Sequence, residues 1–264
     1  KGEHVAQIVG IDEAGVGPIL GPLVITSTSF QLPTDMLGMD LWQVLRKSTA
    51  QKIKNHAGRL IIADSKRAYS RKSGIKHLQR TALSAVLCTN RRPSTLLELI
   101  RELSPDTVDR LTAYDWYQKL DKAELPIDTM DIKLASQVFY KDLSVNDMIL
   151  KNIRTSCIDV FHYNDLIERI DNKSAVIFGL TCSHIQKAFE AQEEPEIHIL
   201  VDRQGGRLRY GQELRKMFPS TELKILKEKN SISSYRITRR NGKKVNIHFM
   251  VKADDKHLPV SLSS

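Results

Sequence analysis

Aromatic side chains make up only 6% of this chain, which argues against a protein whose main work is stacking single-stranded bases. Cysteine is scarcer still. Cys88, Cys157 and Cys182 are odd in number and far apart, with no CxxC or Cys/His ligand spacing. Neither a zinc site nor a disulfide framework is therefore expected. A reduced intracellular setting is the simplest expectation, and with it a cytoplasmic location. No apolar run approaches the roughly 20 residues needed to span a bilayer, so no membrane partner is expected. No secretory signal pattern is visible, although the chain begins without Met, which leaves a removed leader open. A dinucleotide fingerprint and a P-loop are both missing, which places small-molecule enzymes of those classes last.

What is present is enough apolar material to bury a core: 264 residues, 41% of them hydrophobic, with Gly and Pro at ordinary levels. Length alone allows one large domain or two modest ones. Lys and Arg number 40 against 31 Asp and Glu, a net charge of +9. Such an excess favours a polyanionic partner, because phosphates attract Lys and Arg at long range and release counterions on binding. A soluble enzyme with a basic surface would have the same balance.

Val5 to Asp12 reads as a buried strand, followed by a turn through Gly15, Gly17, Gly21 and Pro22 and a second, β-branched strand from Leu23 to Phe30. Arg59 to Ala63 is a short apolar strand that runs into Asp64-Ser65-Lys66. After Gly74, Ile75, Leu78, Ala82, Ala85 and Val86 recur at helical spacing. The polar stretch from about Asn90 to Asn152 holds short helical patterns and no motif with chemistry, and is expected to be an insertion packed on the core. Ser174 is expected to cap a helix whose buried face carries Ile177, Leu180, Ile185, Ala188 and Phe189. Glu196 to Asp202 is a strand ending on an acid, the basic segment Arg203 to Phe218 is expected to turn helical, and Leu223 to Leu226 is a strand. Asn241-Gly242 stands between two alternating runs, Tyr235 and Ile237 before it and Val245, Ile247 and Phe249 after it, the pattern of a hairpin. Strands interleaved with helices predict an α/β fold, a mixed central sheet flanked by helices.

Three of these runs end in acids: Asp12-Glu13, Asp202 and Asp254. A strand end is rigid and faces a crevice, which is where α/β folds place functional side chains. Converging carboxylates repel one another unless some are protonated or cations lie between them. Oxygen-only ligands suit Mg²⁺ or Mn²⁺, and two such ions about 4 Å apart can activate a water and stabilise the leaving oxygen of a phosphodiester. Taken singly, each acid is more often a turn residue or a helix cap.

The segment Gly10-Ile11-Asp12-Glu13-Ala14-Gly15-Val16-Gly17-Pro18, continuing to Gly21-Pro22, strongly resembles the first motif of the ribonuclease HII family. Asp64-Ser65-Lys66, the strand Ile199-Leu200-Val201-Asp202, and Lys252-Ala253-Asp254 with Ser261 to Ser264 behind it are similar to further motifs of that family, in family order. The resemblance implies a ribonuclease H-like fold over a single domain, 1–264, with an insertion at about 90–152. It implies a metal-dependent endonuclease that hydrolyses the RNA strand of RNA–DNA hybrids or junctions, leaving 3′-hydroxyl and 5′-phosphate ends. Asp12, Glu13, Asp202 and Asp254 would be the catalytic acids and the ligands of two Mg²⁺ or Mn²⁺ ions. Asp254 is preferred over its neighbour Asp255 because it follows Lys252-Ala253 and stands seven residues before Ser261. Gly15, Val16 and Gly17 would approach the sugar and phosphate, and Asp64, Ser65 and Lys66 would lie along the backbone, with Lys66 on a phosphate. The glycines also have a plainer role, in shaping the tight turn. A monomer is expected.

The chain departs from the family at Val16, where the motif has arginine in Gly-Arg-Gly. Valine brings neither charge nor donor, so the grip on the scissile phosphate must differ. Arg203, Arg207, Arg209 and Lys216 follow Asp202 and are candidates to replace it, with Tyr210 as a stacking or hydroxyl contact and Gly205-Gly206 holding this loop near the site. A solvated basic helix face would have the same composition, and so would the basic hairpin tip Arg239 to Lys244. The resemblance also implies further helices after Ser264. Two alternatives remain: a divergent nuclease for another structured nucleic acid, and a nucleic-acid-binding module without catalysis.

Overall fold

The computed structural model describes residues 5–15, 21–204 and 207–264. In chain order its strands are β1 (Val5–Ala14), β2 (Leu23–Pro33), β3 (Thr49–Ala50), β4 (Leu60–Ile61), β5 (Ile149–Ile158), β6 (Glu196–Asp202), β7 (Glu222–Lys229), β8 (Ile232–Thr238) and β9 (Lys244–Met250). Its α-helices are α1 (Leu41–Val44), α2 (Ser65–Ala68), α3 (Lys76–Cys88), α4 (Leu96–Leu103), α5 (Val108–Thr112), α6 (Met130–Val145), α7 (Val160–Ile170), α8 (Lys173–Glu190), α9 (Gly211–Met217) and α10 (Leu258–Ser263). Seven strands form a mixed sheet in the order β5-β2-β1-β6-β9-β8-β7, while β3 and β4 pair separately. The inner strands β1, β6 and β9 run parallel. β2 and β8 flank them antiparallel, and β5 and β7 are antiparallel to those in turn.

Period-two alternation sorts the strand residues onto two faces. On one face, Val9 and Ile11, Ile199 and Val201, and Ile247 and Phe249 pack with Phe178, Cys182 and Ile185 of α8 and Leu214 of α9. On the other, Ile8, Phe30, Leu32 and Leu200 pack with Val86 of α3, Phe139 and Leu143 of α6, and Leu258 and Val260 of α10. The expected α/β architecture, a mixed central sheet flanked by helices, is what the described residues form. The three cysteines are free thiols. No helix among the described residues is long and apolar enough to cross a membrane.

The segment expected as an insertion is more closely built in than its composition indicated. Ile132, Ala135, Phe139 and Leu143 make one buried stripe on α6, and β5, which starts at Ile149, is the edge strand paired to β2. Helix α8 is capped by Asn172, whose side chain accepts the Ala175 N–H at 3.0 Å, and Ser174 falls inside the first turn. Among its described residues, the segment after Asp202 is helical from Gly211. The last helix among the described residues is Leu258–Ser263. The Asn241-Gly242 hairpin forms, with Gly242 at φ 80° and its N–H donating to the Arg239 carbonyl at 2.9 Å. β7 is nearly all exposed, and its lysines and glutamates blunt the sheet's free edge against pairing with another chain.

Candidate active site

Because β1 and β6 are parallel neighbours in register at Ile11 and Val201, Asp12 and Asp202 come to the same end of the sheet. β9 lies beside β6 with Met250 opposite Asp202, which brings the following turn, residues 251–257, to that end as well. Lys252 turns the chain at φ 55°. The Ala253 N–H then donates to Asp202 Oδ1 at 2.6 Å. Asp12 Oδ1 accepts the Glu13 N–H at 2.8 Å, and Asp254 Oδ1 accepts the Asp255 N–H at 2.9 Å.

The four acids sense one another. Asp12 is buried, and burial above all, then the charges of Glu13, Asp202 and Asp254, pushes its pKa up to about 8. Asp202 is raised to about 6 by burial and then by Asp254. Glu13 is raised by burial, and further by Asp202 and Asp254, against the hydrogen bond from Gln204. Asp254 is raised by burial and by the charge of Asp64. Among the described residues none of the four forms an ion pair. Asp255 differs, since Arg67 grips it at 2.7 Å. Asp255 is thus paired from α2, yet its charge still helps to raise both Asp254 and Asp202.

These oxygens suit a hard divalent cation in chemistry and in uncompensated charge. As the side chains stand, no group of three His, Cys, Asp or Glu among the described residues closes on a common ion.

Asp64 lies near enough to Asp254 to act on its charge, and its carboxylate caps α2 by accepting the Lys66 N–H at 3.0 Å. Lys66, in the first turn of α2 behind that cap, is exposed. Gly15 turns at φ 86°, and a Cβ there would stand 2.4 Å from the Pro22 carbonyl oxygen, so the tight-turn role is real at this position. Val16 and Gly17, with Gly205 and Gly206, lie outside the described residues.

The basic segment after Asp202 is mostly committed elsewhere. Tyr210 is fully buried, stacked on Phe249 with ring centroids 3.7 Å apart, and its hydroxyl donates to the Arg207 carbonyl. It offers no face to a base, which corrects the stacking expectation. Arg207 pairs with Glu213 at 2.9 Å and lies 4.5 Å above the Phe178 ring, so its charge serves the fold. Arg203 donates to the Asn230 carbonyl and Ser233 Oγ. Arg209 and Lys216 stay exposed.

Sequence reasoning missed Gln204. It is buried, and its Nε2 donates to Glu13 Oε2 at 3.2 Å and to Thr181 Oγ1 of α8 at 2.5 Å, so it ties one acid to the helix layer. Its Oε1 has no partner among the described residues. The only available signal was its place two residues past a strand-terminal acid. No protein-family model matches this chain, and neither does any curated protein.

Proposed function

We propose that this chain is a divalent-metal-dependent endoribonuclease that hydrolyses the RNA strand of RNA–DNA hybrids or RNA–DNA junctions. The observation that carries the proposal is the gathering of Asp12, Glu13, Asp202 and Asp254 at one end of adjoining strands, Asp12 buried and the others half-buried, with no ion pair to any of them among the described residues. A fold gains nothing by gathering unpaired acids, and the arrangement persists at a cost that a bound cation would offset. The same strands, with helices on both faces, support a ribonuclease H-like reading of the architecture.

Asp12, Glu13, Asp202 and Asp254 would hold Mg²⁺ or Mn²⁺. Bound there, the ions supply charge that favours ionised water at neutral pH and offsets the charge growing on the leaving oxygen. The chain's own residues do the rest. Gln204 fixes the direction of Glu13, and the Ala253 N–H fixes that of Asp202. Lys66, exposed on α2 two residues after Asp64, would supply a phosphate contact, and the Gly15 turn would keep the backbone close to the sugar.

A second reading is favoured by one observation: among the described residues no three donors close on an ion as they stand. On that reading the chain binds nucleic acid without cutting it. Cleavage of a labelled duplex with ribonucleotides in one strand separates the two, run with Mg²⁺ or Mn²⁺ and compared with Asp12→Asn. Metal-dependent cutting that Asp12→Asn abolishes supports the nuclease. Salt-sensitive binding with no cutting by the unaltered chain would leave only the binder.

A further inference from the structure

A second charged site lies at the same end of the sheet. β5 is antiparallel to β2, which is antiparallel to β1, so β5 runs in the direction of β1, with β2 between them. Asp12 pairs in register with Thr26, and Thr26 with Thr155. The row from Asp12 to Thr155 spans two strand spacings, about 10 Å. At the far end of that row a cavity of about 280 Å³ opens against β5, and Arg91, Arg110, Arg154 and Lys187 all line it.

The four cations come from four parts of the chain: the loop after α3, α5, β5 and α8. Two are spoken for in part. Arg91 donates to the Ile153 carbonyl at 2.7 Å and to Asn152 Oδ1 at 2.8 Å, and Arg110 pairs with Asp159 at 3.1 Å. Arg154 and Lys187 form no ion pair among the described residues. They are close enough together that both, after burial, help to hold the nearby His184 neutral. The exposed carboxylates of Glu102 and Asp106 also line the cavity, so the uncompensated charge centres on Arg154 and Lys187.

We propose that this cavity is a phosphate site, and that it seats a backbone phosphate of the same nucleic acid whose scissile bond lies over the carboxylates. The inference rests on the nuclease reading. A strand carries one phosphate per about 3.4 Å of helix rise. Arg154, opposite Ser27, and Lys187 lie on the α8 face of the sheet and Asp12 on the other, so the two sites are separated, around the sheet edge, by more than the roughly three nucleotides the row alone would span. Arg154 and Lys187 would bind the phosphate directly, and Arg91, held by its two acceptors, would present its guanidinium to the cavity wall.

The test is binding of a fluorescent ribonucleotide-containing duplex, followed by anisotropy between 50 and 200 mM salt with EDTA present, a range over which phosphate contacts show as a slope of about −0.9 each. The chain is compared with Arg154→Ala/Lys187→Ala and with the charge-keeping Arg154→Lys/Lys187→Arg, and urea melts check that all are folded. The expected result is a slope shallower by about 1 in the alanine pair and restored in the charge-keeping pair. An unchanged slope in the alanine pair overturns the proposal, as does absence of duplex binding by the unaltered chain. Stabilisation of the unaltered chain by inorganic phosphate, with the duplex slope unchanged, also overturns it, because the site then takes a free anion. Cleavage with Mg²⁺ is read in parallel: no cutting together with the slope change removes the nuclease reading and leaves the phosphate site standing.

Discussion

Gly10 of β1 and Pro259 of α10 meet backbone to backbone: a Cβ on Gly10 would stand 2.1 Å from the Pro259 carbonyl carbon and 2.3 Å from the Val260 nitrogen. Two hydroxyls tie the approach down. Thr28 Oγ1 donates to the Pro259 carbonyl at 2.7 Å, and Ser263 Oγ to the Gly10 carbonyl at 3.0 Å. The last helix is thereby pressed onto the strand that carries Asp12, two residues further on.

Gly10→Ala should therefore cost more than an ordinary strand substitution. The obstacle is backbone, not the end of a flexible side chain, so α10 must move bodily. Overpacking typically costs 1–3 kcal/mol, and a loss of about 3 kcal/mol in urea unfolding is expected. Gly38→Ala is the control, since nothing lies within 4 Å of a Cβ there, and it should change stability by less than about 0.5 kcal/mol. Equal effects at the two glycines would mean that α10 is not held as described.

Asp254 and Asp255 should behave differently although they are adjacent. Asp255 is spent on Arg67, itself an exposed side chain, and such a pair contributes about 1 kcal/mol or less. Asp254 faces Asp64 and the other acids, and its carboxyl is raised accordingly. Asp254→Asn should lower metal-dependent cleavage by about a hundredfold or more, on the scale of several kcal/mol of transition-state charge stabilisation. Asp255→Asn should stay within a few-fold of the unaltered chain. Equal losses in initial rate would show that the pair acts as one ligand.

The inner sheet was legible because each strand carries its own signal. Glu196 to Asp202 is an apolar run bounded by acids, and Asn241-Gly242 marks its hairpin on both sides. β5 was not legible, because its exposed residues, Ile149, Lys151 and Arg154, break the period of two where its pairing with β2 shifts register. α6 was hidden for a related reason, its single buried stripe lying within polar surroundings. Around the site, the acids could be read from strand ends and from motif order. The fate of the basic segment could not, since only tertiary packing shows that Tyr210 lies on Phe249 and Arg207 on Phe178. Gln204 was missed because a buried amide bridging an acid to a distant helix has no local pattern.

Gln204 makes a test of how firmly Glu13 must be held. Partners that orient a ligating carboxylate typically matter by 10–100-fold in metal affinity or activity. Gln204→Ala should therefore lower metal affinity about tenfold or more with the fold intact, read by the Mn²⁺ concentration that half-saturates cleavage. Gln204→Glu should do worse without metal, because it adds an acid against Glu13 and Thr181. A half-saturating Mn²⁺ concentration unchanged in Gln204→Ala would show that Glu13 needs no such support.

His184 should set part of the acid sensitivity of the fold. It is buried, with Nδ1 2.9 Å from Ser27 Oγ and Nε2 2.9 Å from Ser156 Oγ. Burial first, then the charges of Lys187 and Arg154, holds its pKa down to about 4. In the unfolded chain it titrates near the ordinary value of about 6.5. Between these values the unfolded chain binds a proton that the folded chain refuses, so stability rises with pH. The contribution is complete above about pH 6.5 and is lost as pH falls towards 4, a change of about 3 kcal/mol at 1.36 kcal/mol per unit. His184→Gln keeps one donor and one acceptor and cannot titrate. Urea midpoints of both proteins at pH 7, 5.5 and 4.5 separate this residue from the others, whose effects are shared. The unaltered chain should lose its advantage over His184→Gln as pH falls. A constant difference would show that His184 takes up its proton in the folded state as readily as in the unfolded one.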